Sequence, residues 1–290
     1  MDRNKTKTKE NAKDYIACMG LAGSFSHIVA RRMHPRGRIV SHTSLDNVGK
    51  AAANGECIEG VLPIENTTAG TVQETFDVLL RHDLSIVGER FLPVVHHLLV
   101  RKMLPGSTAA RLKAIKTIWS HPKAIEQCQT FLESLPNASL IMVRDTAEAA
   151  RRVAVDRNPE MAAIGSMESA QAHGLRVLVP GIQSSGNNVT RFILVRKKLH
   201  AERGNKATLC ATLPHVPGSL HRLLGSFAKH RLNLLHIESR PIPEKPWEYR
   251  FLIDLDVKGR HRHFHHAIEE ARLTALRLDV LGIYDKGVRL

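Results

Sequence analysis

The sequence predicts two consecutive folded parts: an α/β unit with largely parallel strands, then a ferredoxin-like unit. Three observations carry this reading. From Tyr15 to about Val195 short apolar strands alternate with helical stretches. A polar stretch, Lys197 to Lys206, interrupts that rhythm. Beyond it the order becomes strand, helix, strand, strand, helix, strand, the βαββαβ unit. A length of 290 residues exceeds one average domain and agrees with two.

In chain order, Tyr15 to Met19 reads as the first strand, with Gly20 to Gly23 as the turn into a helix from Ser24 to about Met33. Gly60 to Ile64 is another strand, opening through Glu65 and Asn66 toward a helix near Val72 to Leu80. Ile115 to Trp119 leads to Ser120 as N-cap of a helix carrying Pro122 near its start and running to about Leu135. Ala162 to Gly165 and Phe192 to Val195 are later strands, and the His96-His97 pair reads as a strand or hinge segment. In the second part the strands are Ala207 to Leu213, Asn233 to Arg240, Tyr249 to Asp256 and Val280 to Tyr284, and the helices Pro217 to His230 and His263 to Ala275.

Composition narrows the function classes. With 43% hydrophobic and 24% charged residues the chain buries real cores. The most apolar stretch, Phe91 to Val100, holds His96 and His97 and falls far short of the roughly 20 residues of a membrane span. Residues 1–14 carry four lysines without an apolar segment behind them, a disordered basic tail and not a secretory signal. Cys18, Cys57, Cys128 and Cys210 are scattered without metal-ligand spacing, which fits reduced thiols in the cytoplasm. A net charge of +14 attracts anions, but aromatics make up only 4% and no reader motif organises the basic residues, so no specific nucleic-acid partner is expected. His261 and His265 lie four apart with no acidic or cysteine ligand nearby, so the segment 261–266 reads as a solvated basic helix face and no metal is expected.

Ser24, Asn66 to Thr68 and Ser120 fall at comparable strand ends, where open α/β sheets bind ligands. Helix N-termini there suit an anion with more than one carboxylate, although each residue taken alone reads more readily as a cap.

Four ordered blocks carry more information than any single residue. They are Gly60-Val61-Leu62-Pro63-Ile64-Glu65-Asn66-Thr67-Thr68-Ala69-Gly70; Ser120-His121-Pro122-Lys123-Ala124-Ile125-Glu126-Gln127-Cys128; Asn188 with Thr190-Arg191-Phe192; and Glu238-Ser239-Arg240-Pro241, which begins 48 positions beyond Thr190. Together they resemble a prephenate dehydratase with a C-terminal ACT regulatory domain, over nearly the whole chain from Tyr15 to about Tyr284.

The resemblance implies a two-lobed, periplasmic-binding-protein-like catalytic module over residues 15–200, followed by an ACT domain over 206–290. Lobe one would hold about 15–94 and 181–200, and lobe two about 95–180. The implied activity is decarboxylative dehydration of prephenate to phenylpyruvate, water and CO2, without cofactor. Thr190 is the implied proton donor to the departing hydroxide. Asn66, Gln127 and Glu65 join it as catalytic positions, and Arg191, Ser24, Thr67 and Ser120 contact substrate.

Arg191 offers a planar fork to a carboxylate, or holds Thr190 through an ion pair; Glu65 orients Asn66 or pairs with an arginine. His121, which titrates near neutrality, is a second candidate acid. Gly218, Ser219, Leu220 and Glu238 to Pro241 would bind inhibitory L-phenylalanine between paired domains, in a homodimer or homotetramer. Leu21, Lys123 and Ser219 depart from residues common in the family. Two alternatives stay open: arogenate as substrate, and a sensor of aromatic amino acids without turnover.

Overall fold

The computed structural model describes residues 15–156, 158–198, 203–242 and 245–290. The basic segment 1–14 and positions 199–202 of the polar stretch lie outside the described residues. Two compact units result: one holds the chain up to His82, Arg90–Ile193 and Arg289–Leu290, the other Asp83–Glu89 and Leu194–Val288.

The N-terminal unit is a two-lobed α/β module with one sheet per lobe. The first lobe runs β1 (Tyr15–Met19), α1 (Phe25–Met33), β2 (Arg38–His42), α2 (Leu45–Ala53), β3 (Glu59–Asn66), β4 (Gly70–Thr71), α3 (Gln73–Arg81) and β5 (Leu84–Pro93). The second runs β6 (His97–Val100), α4 (Thr108–Ala114), β7 (Thr117–Ser120), α5 (Pro122–Gln127), α6 (Gln129–Leu132), β8 (Ser139–Met142), α7 (Thr146–Val155), β9 (Met161–Gly165), α8 (Met167–His173) and β10 (Arg176–Val179). Then β11 (Val189–Lys197) returns to the first sheet, between β5 and β3, and the last strand, β16 (Val288–Arg289), adds at the edge, giving the order β16-β5-β11-β3-β1-β2 with β4 on β3.

The first sheet pairs β1 in parallel with both β2 and β3. The second sheet, β10-β6-β9-β7-β8, is mixed: β7 lies parallel to β8 and β9, and β6 antiparallel to β9 and β10. Central strands read as unbroken apolar runs because helices cover both faces; Gly60 to Leu62 and Phe192 to Val195 are buried at every position.

Two details differ from the sequence reading. Ser120 was expected to cap α5, yet it is the last residue of β7, and its fully buried hydroxyl donates to Ile164 O at 3.0 Å. His121 is the cap, its Nδ1 accepting Lys123 N–H at 3.2 Å. The helix expected to run to Leu135 breaks at Cys128, whose φ of −109° and ψ of 14° separate α5 from α6.

The lobes are tied at Gly23. Ser166 and Ser169 Oγ, from the start of α8, both donate to Gly23 O at 2.8 and 2.9 Å. Gly23 has φ +90°, and a Cβ there would meet the Ser169 backbone at 2.5 Å, so only glycine allows the approach.

The C-terminal unit holds β12 (Lys206–Thr212), α9 (Ser219–Lys229), β13 (Asn233–Ile242), β14 (Lys245–Asp256), α10 (His261–Arg272) and β15 (Arg277–Tyr284). Its sheet order β13-β14-β12-β15 is antiparallel throughout, the ferredoxin-like arrangement. Leu223 and Phe227 of α9 and Phe264, Ala267 and Ile268 of α10 pack on Leu209, Ile253 and Leu255 of the sheet.

A buried polar cluster lies in this unit. Lys206 Nζ sits 2.9 Å from Glu89 Oε2 and 3.0 Å from Asp254 Oδ2. Thr208 Oγ1 donates to Asp254 Oδ1 at 2.6 Å, and Gly287 N–H to Glu89 Oε1 at 3.1 Å. One ammonium serves two buried carboxylates, so removing it takes a cation from each. Lys206→Met is expected to cost about 3–5 kcal/mol of stability, read as a lower urea midpoint at unchanged m-value.

Burial raises all four thiols: Cys18, Cys128 and Cys210 are pushed up to about 12 and Cys57 to about 11. All four are free and buried. A thiol-disulfide reagent at pH 8 is therefore expected to label the native protein slowly and to titrate four thiols once guanidinium unfolds it.

Candidate active site

The first sheet brings the Thr190 and Asn66 blocks together, because β11 lies beside β3. Asn66 ends β3 and folds the chain back on itself: its Oδ1 accepts the N–H groups of Thr68 (3.0 Å) and Ala69 (2.8 Å). Thr67 completes the link. Its N–H donates to Val189 O at 3.0 Å, its hydroxyl donates to Asn187 O at 2.7 Å, and the same oxygen accepts Val189 N–H at 3.0 Å. The Thr67 hydroxyl is thus engaged by backbone.

Around this turn four side chains close a ring. Gln127 Nε2 donates to Thr68 Oγ1 (3.1 Å), Thr68 Oγ1 to Asn66 Oδ1 (2.7 Å), Asn66 Nδ2 to Asn188 Oδ1 (2.7 Å), and Asn188 Nδ2 back to Gln127 Oε1 (2.9 Å). Every amide orientation is fixed by its neighbours, since each group donates one way and accepts the other. Three members come from the first lobe and its return strand; Gln127, at the end of α5, comes from the second.

Two branches leave the ring. Asn66 Nδ2 also donates to Thr190 Oγ1 at 2.9 Å. That bond takes a lone pair of the hydroxyl and leaves its proton with no acceptor among the described residues. Thr190 is only 8% exposed, so little water competes for that proton. On the other side His96 Nε2 lies 2.9 Å from Gln127 Oε1. An amide oxygen only accepts, so His96 carries its proton on Nε2. Its Nδ1 is buried without a partner, and burial holds its pKa below the usual histidine range. The His96 ring meets Phe25 edge-on at 5.7 Å, and the His96 backbone N–H donates to Gln183 Oε1 at 3.1 Å.

Arg191 is buried, with Nη1 3.5 Å from Glu65 Oε2. Ser24 caps α1, its Oγ accepting His27 N–H at 3.3 Å and donating to Met19 O at 3.2 Å. Ser120 faces into the second sheet, as described above. Lys123 pairs with Glu126 at 3.1 Å on the exposed face of α5. His121 spends Nδ1 on its cap, and burial lowers its pKa, with Asp145 opposing and Lys123 reinforcing that shift.

Two residues matter more here than their sequence context suggested. Asn188 is a buried ring member, not only a turn former, and His96 is a buried ring contact within an apolar run. The signal for His96 was a histidine amid apolar residues. Its partner lies 31 positions away, out of reach of local pattern.

In the C-terminal unit, Gly218 begins α9 in the left-handed region (φ 78°) and Ser219 Oγ donates to Val216 O at 2.9 Å. A cavity of about 390 Å³ opens beside them, walled by Pro214, Val216, Leu220, Tyr249 and Phe251. Ser239 and Pro241 of β13 stand opposite Phe251 and Tyr249 of β14. Glu238 and Arg240 occupy the alternate positions of that strand.

The model of the prephenate dehydratase family matches residues 16–200. Among curated relatives, the bifunctional chorismate mutase/prephenate dehydratase of Enterobacter agglomerans is 33% identical over 280 residues, covering 93% of this chain and 70% of the relative. A solved structure of prephenate dehydratase from Arthrobacter aurescens, in complex with L-Phe, is 30% identical with a TM-score of 0.81, covering 93% of this chain and 90% of that one. A second, described as GqqA, a novel type of quorum quenching acylase, is 27% identical with a TM-score of 0.80, covering 93% and 97%. One fold thus hosts more than one named activity, and residues, not architecture, must carry the functional reading. On the family match and the curated relative, this chain belongs to the prephenate dehydratase family.

Proposed function

We propose that this chain catalyses the decarboxylative dehydration of prephenate to phenylpyruvate, under feedback by L-phenylalanine at a C-terminal ACT domain. The observation that carries the reading is the Thr190 hydroxyl, buried, accepting from Asn66 and left with a free proton. In the reaction the bond to the ring carboxylate breaks and CO2 departs. The released electron pair completes the aromatic ring and expels the hydroxyl across it. Hydroxide leaves as water on the proton from Thr190, which recovers a proton from solvent. A threonine hydroxyl is a weak acid, so the help comes from placement: Asn66 Nδ2 already donates to the oxygen on which negative charge develops. Arg191, with Glu65 beside it, supplies positive charge for a substrate carboxylate and steadies the strand that carries Thr190. Ser24, Thr67 and Ser120 act mainly by building the walls, since their hydroxyls are engaged by backbone groups.

The ferredoxin-like topology, the Gly218-Ser219-Leu220 turn and the adjoining apolar cavity support the ACT reading. Pairing of two copies is supported by β13, an edge strand whose Leu235 and Ile237 are about two-fifths exposed. Four free cysteines fit a cytoplasmic setting. Among the described residues no helix is long and apolar enough to cross a membrane.

Purified protein given prephenate is expected to form phenylpyruvate, and added phenylalanine to suppress it. Phenylalanine formed from arogenate alone would transfer the assignment to that substrate, and no product from either would leave a sensor. Thr190→Ala is expected to lower turnover roughly 10²–10⁴-fold while phenylalanine binding at the C-terminal unit persists.

The ring also sets a pH limit. The folded-state pKa of His96 is lowered, so its stabilising contribution is complete above the unfolded value of about 6.5 and is lost as pH falls below it. His97, His121 and His173 act in the same sense, their pKa values also lowered by burial. Between pH 7.5 and 5.5 the urea midpoint is expected to fall. In His96→Gln, which keeps a donor for Gln127, the fall is expected to be shallower.

A further inference from the structure

The segment between β5 and β6 faces two ways. His96 turns to Gln127, while its neighbours Val95 and His97 face elsewhere. There they line a cavity of about 380 Å³, in the volume range of small-molecule sites. Phe25 and Ile28 of α1 and Leu92 of β5 make its apolar walls. Two charged groups complete it: Arg32 from α1 in the first lobe and Glu168 from α8 in the second.

Arg32 Nη2 lies 2.8 Å from Glu168 Oε1, with the two side chains 43% and 36% exposed. A pair that well solvated is weak and exchangeable, so a ligand bringing its own charges replaces it at little loss. The cavity therefore offers one cation and one anion beside an apolar surface. A carboxylate without an ammonium would meet the charge of Glu168, and an amine without a carboxylate that of Arg32. His97 is held as a wall by Gly181 N–H, which donates to its Nδ1 at 3.2 Å.

We propose that this cavity binds an apolar α-amino acid as its zwitterion, the carboxylate on the Arg32 fork, the ammonium on Glu168, and the side chain against Phe25, Ile28 and Val95. The site is separate from the cavity of the C-terminal unit. Its occupant bridges both lobes beside the segment that carries His96 to the Gln127 ring, so binding favours one interlobe angle over others.

Equilibrium dialysis of the full chain with labelled L-isoleucine tests this. Its two single-charge analogues, 2-methylbutylamine and 3-methylpentanoate, serve as competitors. L-Isoleucine is expected to bind, and each analogue to compete at least tenfold more weakly than unlabelled L-isoleucine. Arg32→Ala and Glu168→Ala, both at solvated positions, are each expected to weaken binding at least tenfold. Val95→Trp, which fills the cavity and spares the ion pair, is expected to abolish it, while Tyr249→Ala in the other cavity leaves it unchanged. No binding, binding indifferent to Arg32→Ala and Glu168→Ala, or binding removed only by Tyr249→Ala overturns the proposal. The readout is binding and not turnover, so failure of the dehydratase reading would not mimic failure here.

Discussion

A closed ring of four hydrogen-bonding side chains, Gln127, Thr68, Asn66 and Asn188, is the interaction on which the N-terminal unit's site depends. Within the ring each amide donates and accepts in one rotational sense, so no member can flip without breaking two bonds. In a poorly solvated setting such bonds polarise one another and an unpaired member is costly. The ring thereby fixes one choice for the branch to Thr190: Asn66 donates, so the threonine keeps its proton. A common hydroxyl thus keeps its proton through the orientation of an amide on the neighbouring strand.

The surrounding fold supplies the parts of that ring from distant segments. Asn66 comes from the end of β3, Asn188 from just before β11, Thr190 from its start, and Gln127 from the end of α5 in the other lobe. Placement at strand ends follows from α/β architecture, where ligand crevices lie beyond the sheet. Because one member belongs to the second lobe, the ring is complete only when the lobes meet. The serine hydroxyls on Gly23 O tie the lobes elsewhere. Chemistry and lobe geometry are thus held by the same class of bond, short and directional, and not by a continuous apolar core.

The C-terminal unit is organised differently. Its core is apolar, built from two helices on one face of a four-stranded sheet, with one buried charged cluster on Lys206. A single ammonium between two carboxylates is a poor source of net stability but a strict register mark, since any slip of β12 would strand the charges. The chain's net charge of +14 is carried elsewhere, largely on exposed lysines and arginines such as Lys123 and Arg81. That excess suits attraction of a small carboxylated substrate without any ordered polyanion surface.

Much of this was legible in the sequence. The first strand, Tyr15–Met19, and the βαββαβ order were readable because apolar periodicity and glycine turns are local signals. Short motifs in fixed order identified the family and pointed to Thr190, Asn66 and Gln127, since a motif records which residue types the chemistry needs. Local chemistry misled at Ser120, a good cap by type whose hydroxyl is spent on Ile164 O of a neighbouring strand. Nothing local marked β2, β8 or β10 either, short strands of four or five residues that persist through pairing with neighbours. Sequence by itself determined the fold class, the order of the two units and the kinds of residue at the site. Only the tertiary structure decided which way each amide points, that Asn188 completes the ring and His96 branches from it, and that Thr190 keeps a free proton. Hydrogen bonds between residues up to 124 positions apart set those choices, and direction in space is not written in the spacing of a chain.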